Sequence, residues 1–103
     1  MDKIFGLIGL AKRAGKISGG EFSVTASIKD KSAKLVIIAT DASDNTKKNI
    51  TDSCRFYNVE YIEYGSLEEL GKFTGSGIRA TVSVKDSGFA KAIKEHFEST
   101  SGF

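Results

Sequence analysis

Few side chains in this chain have the types and spacing that catalysis needs. Cys54 is the only cysteine and His96 the only histidine, so they cannot make an internal disulfide or a Cys-rich zinc site, and a nucleophile–histidine pair starts from poor odds. Among the carboxylates, Asp41 holds the suggestive place. It follows the apolar run Leu35-Val36-Ile37-Ile38-Ala39, where phosphoryl-transfer α/β enzymes keep a catalytic carboxylate. That chemistry needs further acidic groups for Mg²⁺ at neighbouring strand ends. Those ends offer Gly65 and Lys85 with Asp86. Asp41 therefore reads as a helix-capping or loop-shaping residue, and no catalytic residue, metal or cofactor is expected.

Binding chemistry has better candidates. Three polar turns stand out: Ser18-Gly19-Gly20, Thr40 to Asp44, and Gly75-Ser76-Gly77. Two of them open helices, whose unpaired N–H groups suit phosphates or base edges. If a sheet gathers the turns, they form one polar rim flanked by Lys16 and Arg79. The competing reading makes each a tight turn that needs glycine's freedom. Phe22 either stacks on an unstacked base or staples a helix to the sheet. Arg79 is a phosphate contact or an edge charge. Cys54 reads as a small core side chain, and His96 as surface or core-edge.

The elements that must position these residues follow from hydrophobic period. Residues 2–14 place Ile4, Leu7, Ile8 and Ala11 on one helical face, with Lys12 and Arg13 in the last turn and Gly15 as the stop. Lys16-Ile17 is a brief strand, and Ser18-Gly19-Gly20-Glu21 fits a capping box that opens a helix near Gly19, burying Val24 and Ile28 as far as about Asp30. The central run 35–39 is a strand covered on both faces. Ser43 or Asp44 caps a third helix with Ile50, Cys54 and Tyr57 inward. Val59 to Tyr64 is a less buried strand, and Ser66-Leu67-Glu68-Glu69 is a second capping box, followed by Leu70 and Phe73. Ile78 to Val84 alternates as a strand, and a last helix from about Ser87 packs Phe89, Ile93 and Phe97, with Ser99 to Phe103 frayed. The order α-β-α-β-α-β-α-β-α predicts an α/β fold with helices on both faces of a small sheet.

With 103 residues, 40% hydrophobic and 27% charged, the chain is expected to be one domain, residues 1–103, without disorder. Its formal net charge is +2. Lys3, Lys12, Arg13 and Lys16 face only Asp2 in the first sixteen positions, while Glu60, Glu63, Glu68 and Glu69 cluster later. That asymmetry would steer an anionic polymer, or else it is a plain solvated surface. The apolar run 4–11 is flanked by Asp2 and by Lys12-Arg13, without a small-x-small cleavage site. It is too short to span a bilayer, so neither a signal peptide nor a membrane partner is expected.

Five pieces, Leu10 to Lys16, Ser18 to Glu21, Leu35 to Ser43, Leu70-Gly71-Lys72 and Gly88-Phe89-Ala90, share an order and spacing over nearly the whole chain. Together they resemble the ribosomal protein family of the archaeal L7Ae type, which binds kink-turns in RNA, and within it the bacterial YlxQ-like branch. The resemblance implies a three-layer α-β-α sandwich with a four-stranded mixed sheet, no enzymatic activity, and RNA along one edge. That edge matches Gly19 to Ser23, Thr40 to Ser43 and Gly75 to Arg79. The sequence departs from the kink-turn pattern two, three and six places after Gly20. There the family carries Asn, Glu and Lys, and this chain carries Phe22, Ser23 and Ala26. An amide and a carboxylate have become a ring and a hydroxyl, and a cation has become a methyl.

The expected function is RNA binding without catalysis in the bacterial cytoplasm, on ribosomal or other structured, kink-turn-like RNA, by a monomer. The expected contacts are Lys12, Arg13, Lys16, Gly19, Gly20, Phe22, Ser23, Thr40, Asp41, Ser43, Gly75, Ser76, Gly77, Ile78 and Arg79. A protein-interaction adaptor that kept the fold but lost RNA recognition is the alternative, and a phosphoryl-transfer enzyme at Asp41 a third.

Overall fold

The computed structural model describes residues 2–101 of the chain. Its elements are α1 (Lys3–Arg13), β1 (Ile17–Gly19), α2 (Glu21–Lys29), β2 (Leu35–Ile38), α3 (Asp44–Tyr57), β3 (Tyr61–Glu63), α4 (Leu67–Phe73), β4 (Thr81–Val84) and α5 (Ser87–Ser101). The alternation of helix and strand is the one expected.

Local chemistry sets each turn. Asp2 caps α1, its carboxylate accepting the Ile4 amide at 2.7 Å and the Phe5 amide at 3.2 Å, and the Tyr64 hydroxyl donates to its other oxygen. Burial pulls the Asp2 carboxyl upward, but the Tyr64 hydroxyl and the two amides outweigh it and hold it below the usual range. Burial, with help from Asp2, pushes Tyr64 up to about 12. At the other end Gly15 takes φ +73°. There the Lys16 amide reaches Ala11 O at 2.9 Å and the Gly15 amide reaches Lys12 O at 3.0 Å, closing the helix and turning the chain into β1. Phe5 joins the buried face of α1, stacked on Phe73, while Leu7 is only half-buried. Ser43 caps α3 and Ser66 forms the expected capping box with Glu69.

The sheet runs β1-β4-β2-β3. β4 pairs antiparallel with β1 and with β2, and β2 pairs parallel with β3, so the sheet is four-stranded and mixed. α1 packs with α4 and α5, and α2 with α3. Every residue of β2 and β4 is buried, as strands covered on both faces must be. This is the three-layer sandwich expected. Burying an aliphatic side chain such as Ile8, Ile37 or Ile93 contributes about 1.5–3 kcal/mol each. Burial pushes the Cys54 thiol up to about 11 and leaves it a core side chain.

Four expectations are corrected. Ser18 lies in β1, not in a capping box; the N-cap of α2 is Gly20 at φ +94° with no side-chain cap, and Glu21 instead meets the Thr46 hydroxyl at 3.3 Å. The strand expected over Ile78 to Val84 begins only at Thr81, because the preceding loop bonds to α4 and its flanks: Ser76 N to Gly71 O at 2.7 Å and Arg79 N to Leu67 O at 3.0 Å. Ile78 is accordingly 62% exposed rather than aligned inward with Val82 and Val84. β3 is shorter than Val59 to Tyr64. Finally, α5 carries through Ser99 to Ser101 instead of fraying; residues 102–103 lie outside the described residues.

Candidate functional site

Register decides which turns meet. β4 opposes both neighbours, so its first residue lies level with the last of β2 (Thr81 with Ile38) and next to the end of β1 (Val82 with Gly19). Backbone bonds continue the row past the strands: Ala39 N to Ala80 O at 2.8 Å, Gly20 N to Thr81 O at 3.2 Å, and Thr40 N to Gly65 O at 2.8 Å. The Thr40 hydroxyl also donates to Gly65 O at 3.0 Å. The turns after β1 and β2 and the loop before β4 therefore share one end of the sheet, as expected.

Arg79 crosses this rim. A Cβ on Gly19 would lie 2.7 Å from Arg79 Nε, and one on Gly20 would lie 3.2 Å from a terminal guanidinium nitrogen. The guanidinium thus covers a stretch of bare backbone that only glycine leaves open. Among the described residues no carboxylate lies within 4.0 Å of it. Phe22, two residues beyond Gly20, is 89% exposed, so the reading of Phe22 as a staple to the sheet does not hold. Ser23 and Ser43 are exposed beside it, Ser43 holding Thr46 at the start of α3.

Asp41 is committed to structure. Its carboxylate accepts the Leu67 amide at 2.8 Å, satisfying an N–H in the first turn of α4. Among the described residues no group of three or more His, Cys, Asp and Glu side chains is placed to hold a metal ion. Lys47, which the sequence reading passed over, reaches Thr40 O at 2.6 Å and pairs with Glu63 at 3.4 Å, pinning the loop after β2.

Other expected residues stand farther back. Gly75 and Ser76 fold against the end of α4, with Lys12 Cε 3.9 Å from where a Cβ on Gly75 would sit. Arg13 lines an apolar groove along α1 with Leu10, Phe73 and His96. Lys16 does not flank the rim: the Lys85 amide donates to its carbonyl at 2.8 Å, so it sits at the opposite end of β1 and β4. Nor is the rim basic. Glu21, Asp41, Asp44, Glu63, Glu68 and Glu69 belong to its turns and helix starts, against Arg79, Lys47 and Lys72.

The sequence reading also missed Gly71. A Cβ there would lie 2.5 Å from Gly77 O and 2.7 Å from Ile78 Cα, so this glycine lets the loop that carries Arg79 press onto α4. Its signal was visible: a glycine inside a helix costs roughly 1 kcal/mol and asks for a reason.

Known proteins place the same architecture in context. The model of the ribosomal protein L7Ae/L30e/S12e/Gadd45 family matches residues 2–94. An RNA-binding protein YlxQ from Bacillus subtilis (strain 168) is 44% identical over 89 residues, covering 86% of this chain and 89% of that protein. A YlxQ from Enterococcus faecium is 43% identical over 97 residues, covering 94% and 93%. A Bacillus halodurans C protein described as of unknown function superposes with TM-score 0.91 at 32% identity, covering 95% of this chain and 99% of that one. A Giardia lamblia 15.5kD RNA binding protein shares the fold, with TM-score 0.78 at 20% identity over 95% and 84% of the two chains. With a family match across nearly its whole length and close relatives of the same size, the chain belongs to the ribosomal protein L7Ae/L30e/S12e/Gadd45 family.

Proposed function

We propose that this protein binds structured RNA along the rim formed by Gly19 to Ser23, Thr40 to Ser43 and Gly77 to Arg79, and that it catalyses no reaction. One observation carries the reading: an arginine without a carboxylate partner among the described residues lies over the bare backbone of Gly19 and Gly20, two residues before the exposed Phe22. Phosphate is the natural partner for that guanidinium, the glycine backbone admits close approach, and the ring offers a base a stacking face. The relatives named RNA-binding proteins support the same assignment. The bacterial cytoplasm is the proposed compartment and ribosomal RNA the proposed source.

Phe22, Ser23 and Ala26 change how RNA is read. A ring, a hydroxyl and a methyl cannot reproduce the base-edge bonds of Asn and Glu or the phosphate contact of Lys, so recognition shifts from hydrogen bonding toward shape and stacking. The test is fluorescence anisotropy with a hairpin containing a kink-turn, against a straight hairpin of equal length. Arg79→Glu is expected to weaken hairpin binding by at least about tenfold, the scale of losing one hydrogen bond to a charged group. Equal binding by wild type and Arg79→Glu rejects the rim as the RNA surface.

The adaptor reading draws on the carboxylates of the rim and on Phe22 and Ile78, exposed at 89% and 62%. Recovering partners from lysate with and without nuclease separates the two. Partners that survive RNA digestion, and are lost in Phe22→Ala, select the adaptor.

A further inference from the structure

A row of lysines without an ion-pair partner among the described residues lies at the pole opposite the rim. Lys16, Lys85 and Lys34 sit one residue beyond the register row Ile17–Val84–Leu35, so they stand side by side at the ends of three adjacent strands. Two backbone bonds fix the row: Lys85 N to Lys16 O and Lys34 N to Val84 O, each 2.8 Å. At about 4.8 Å per strand, the row spans about 10 Å. All three lysines are exposed, and among the described residues none has a carboxylate within 4.0 Å.

The end of α2 extends this surface. Lys29 and Lys31 are exposed there, and Lys31 donates to the Tyr57 carbonyl at the end of α3. That bond brings α3's last turn to the same pole, and with it Phe56, whose ring is 80% exposed and edge-on to Tyr57 at 4.9 Å. Three carboxylates share this pole: Asp86 accepts the Phe89 amide at 2.9 Å, Glu60 pairs with Lys94, and Asp30 lies at the end of α2. The Asp30 carboxylate is turned to the Ser32 amide at 2.9 Å and is held low first by Ser32 and then by the charge of Lys85, so Lys85 is within electrostatic reach of this end of α2. Nothing inside the fold requires Phe56 to face solvent or the lysines to share an edge. A polyanion with flat rings would neutralise the lysines and cover the ring.

We infer that this lysine row and Phe56 form a second RNA surface, which takes a single-stranded segment with phosphates on Lys16, Lys85 and Lys34 and a base on Phe56. A row of cations tracking a backbone beside an exposed aromatic is the combination that single-strand binders use. Of the polyanions that would match the lysines, RNA is the one that brings a flat ring to stack on Phe56. The inference takes from the proposed function only that the polymer is RNA. It assigns the rim to folded RNA and this pole to an unpaired flank, across a molecule about 32 Å in its longest extents.

The probe is a fluorescein-labelled oligouridylate of about 12 nucleotides, read by anisotropy at about 50 and 200 mM KCl. Three phosphates neutralised at a slope of about 0.7 each make binding roughly twentyfold weaker at the higher salt. Lys34→Gln with Lys85→Gln is expected to cut that loss to about threefold, the double Lys→Arg variant to keep it, and Phe56→Ala to weaken binding about tenfold with the salt slope intact. Absence of wild-type binding at low salt, an unchanged slope in the double Gln variant, or equal competition by a straight RNA duplex each overturns the inference. None of these outcomes touches the kink-turn hairpin test of the rim, so the two assignments fail separately.

Discussion

Gly71→Ala tests whether the rim is held in place by a helix that has no room for a side chain. The new Cβ would lie 2.5 Å from Gly77 O and 2.7 Å from both Gly77 C and Ile78 Cα. These are backbone atoms and cannot rotate away, so the loop must retreat by about 1 Å. Overpacking of this kind costs about 1–3 kcal/mol. Stretching the 2.7 Å bond from Ser76 N to Gly71 O costs about 1 kcal/mol more. Alanine's better helix propensity returns about 1 kcal/mol. The net loss of about 1–3 kcal/mol corresponds to a melting temperature lower by about 5–15 °C in a chain of this size. Thermal unfolding followed by circular dichroism measures it, and hairpin binding should fall as well, because the displaced loop carries Arg79. Gly6→Ala is the internal control. It is also a glycine in a helix, but a Cβ there would meet nothing within 4 Å, so it should stabilise by about 0.5–1 kcal/mol. If Gly71→Ala melts at or above the wild type and binds the hairpin equally well, the loop is not braced on α4 and the reasoning fails.

Gly19→Ala separates the site from the scaffold. The three atoms nearest its Cβ all belong to the Arg79 side chain, which can swing aside, so stability should change by less than about 1 kcal/mol while hairpin affinity falls several-fold; a variant that binds like wild type would show that the guanidinium's placement is immaterial. Asp2→Ala removes the cap of α1 and should cost about 1 kcal/mol at neutral pH. Because the folded carboxyl is held below its unfolded value of 3.8, its contribution is full above that value and is lost as pH falls through the lower folded one. Wild type and Asp2→Ala melting curves should therefore converge only under strongly acidic conditions, and a gap already closed at pH 5 would contradict the assignment.

What could be read ahead of the structure was what depends on period and on neighbours in sequence. The five helices, the doubly covered strand at Leu35 and the Ser66 cap all follow from local spacing, and they appear where spacing puts them. The convergence of the three turns was also foreseeable, since the family resemblance placed them along one edge; the strand order β1-β4-β2-β3 that brings them together was not. The misses came from long-range competition. Ser18 and Glu21 have the sequence of a capping box, yet pairing with β4 draws Ser18 into a strand. Ile78 keeps the alternation of a strand, yet the loop bonds to α4 pull it into solvent. Lys16 is four residues from Gly20, but a strand of three residues separates the two ends of the molecule, and linear proximity misplaced its charge.

β4 has a bearing on biosynthesis. The first strand to leave the ribosome, at Ile17, has no partner until Val84 is made, and the same late strand holds the middle of the sheet and anchors the arginine loop. A nascent chain halted before residue 81 can build helices but cannot close the sheet or seat Arg79 over Gly19 and Gly20. The rim proposed for RNA can thus take shape only when translation is nearly finished.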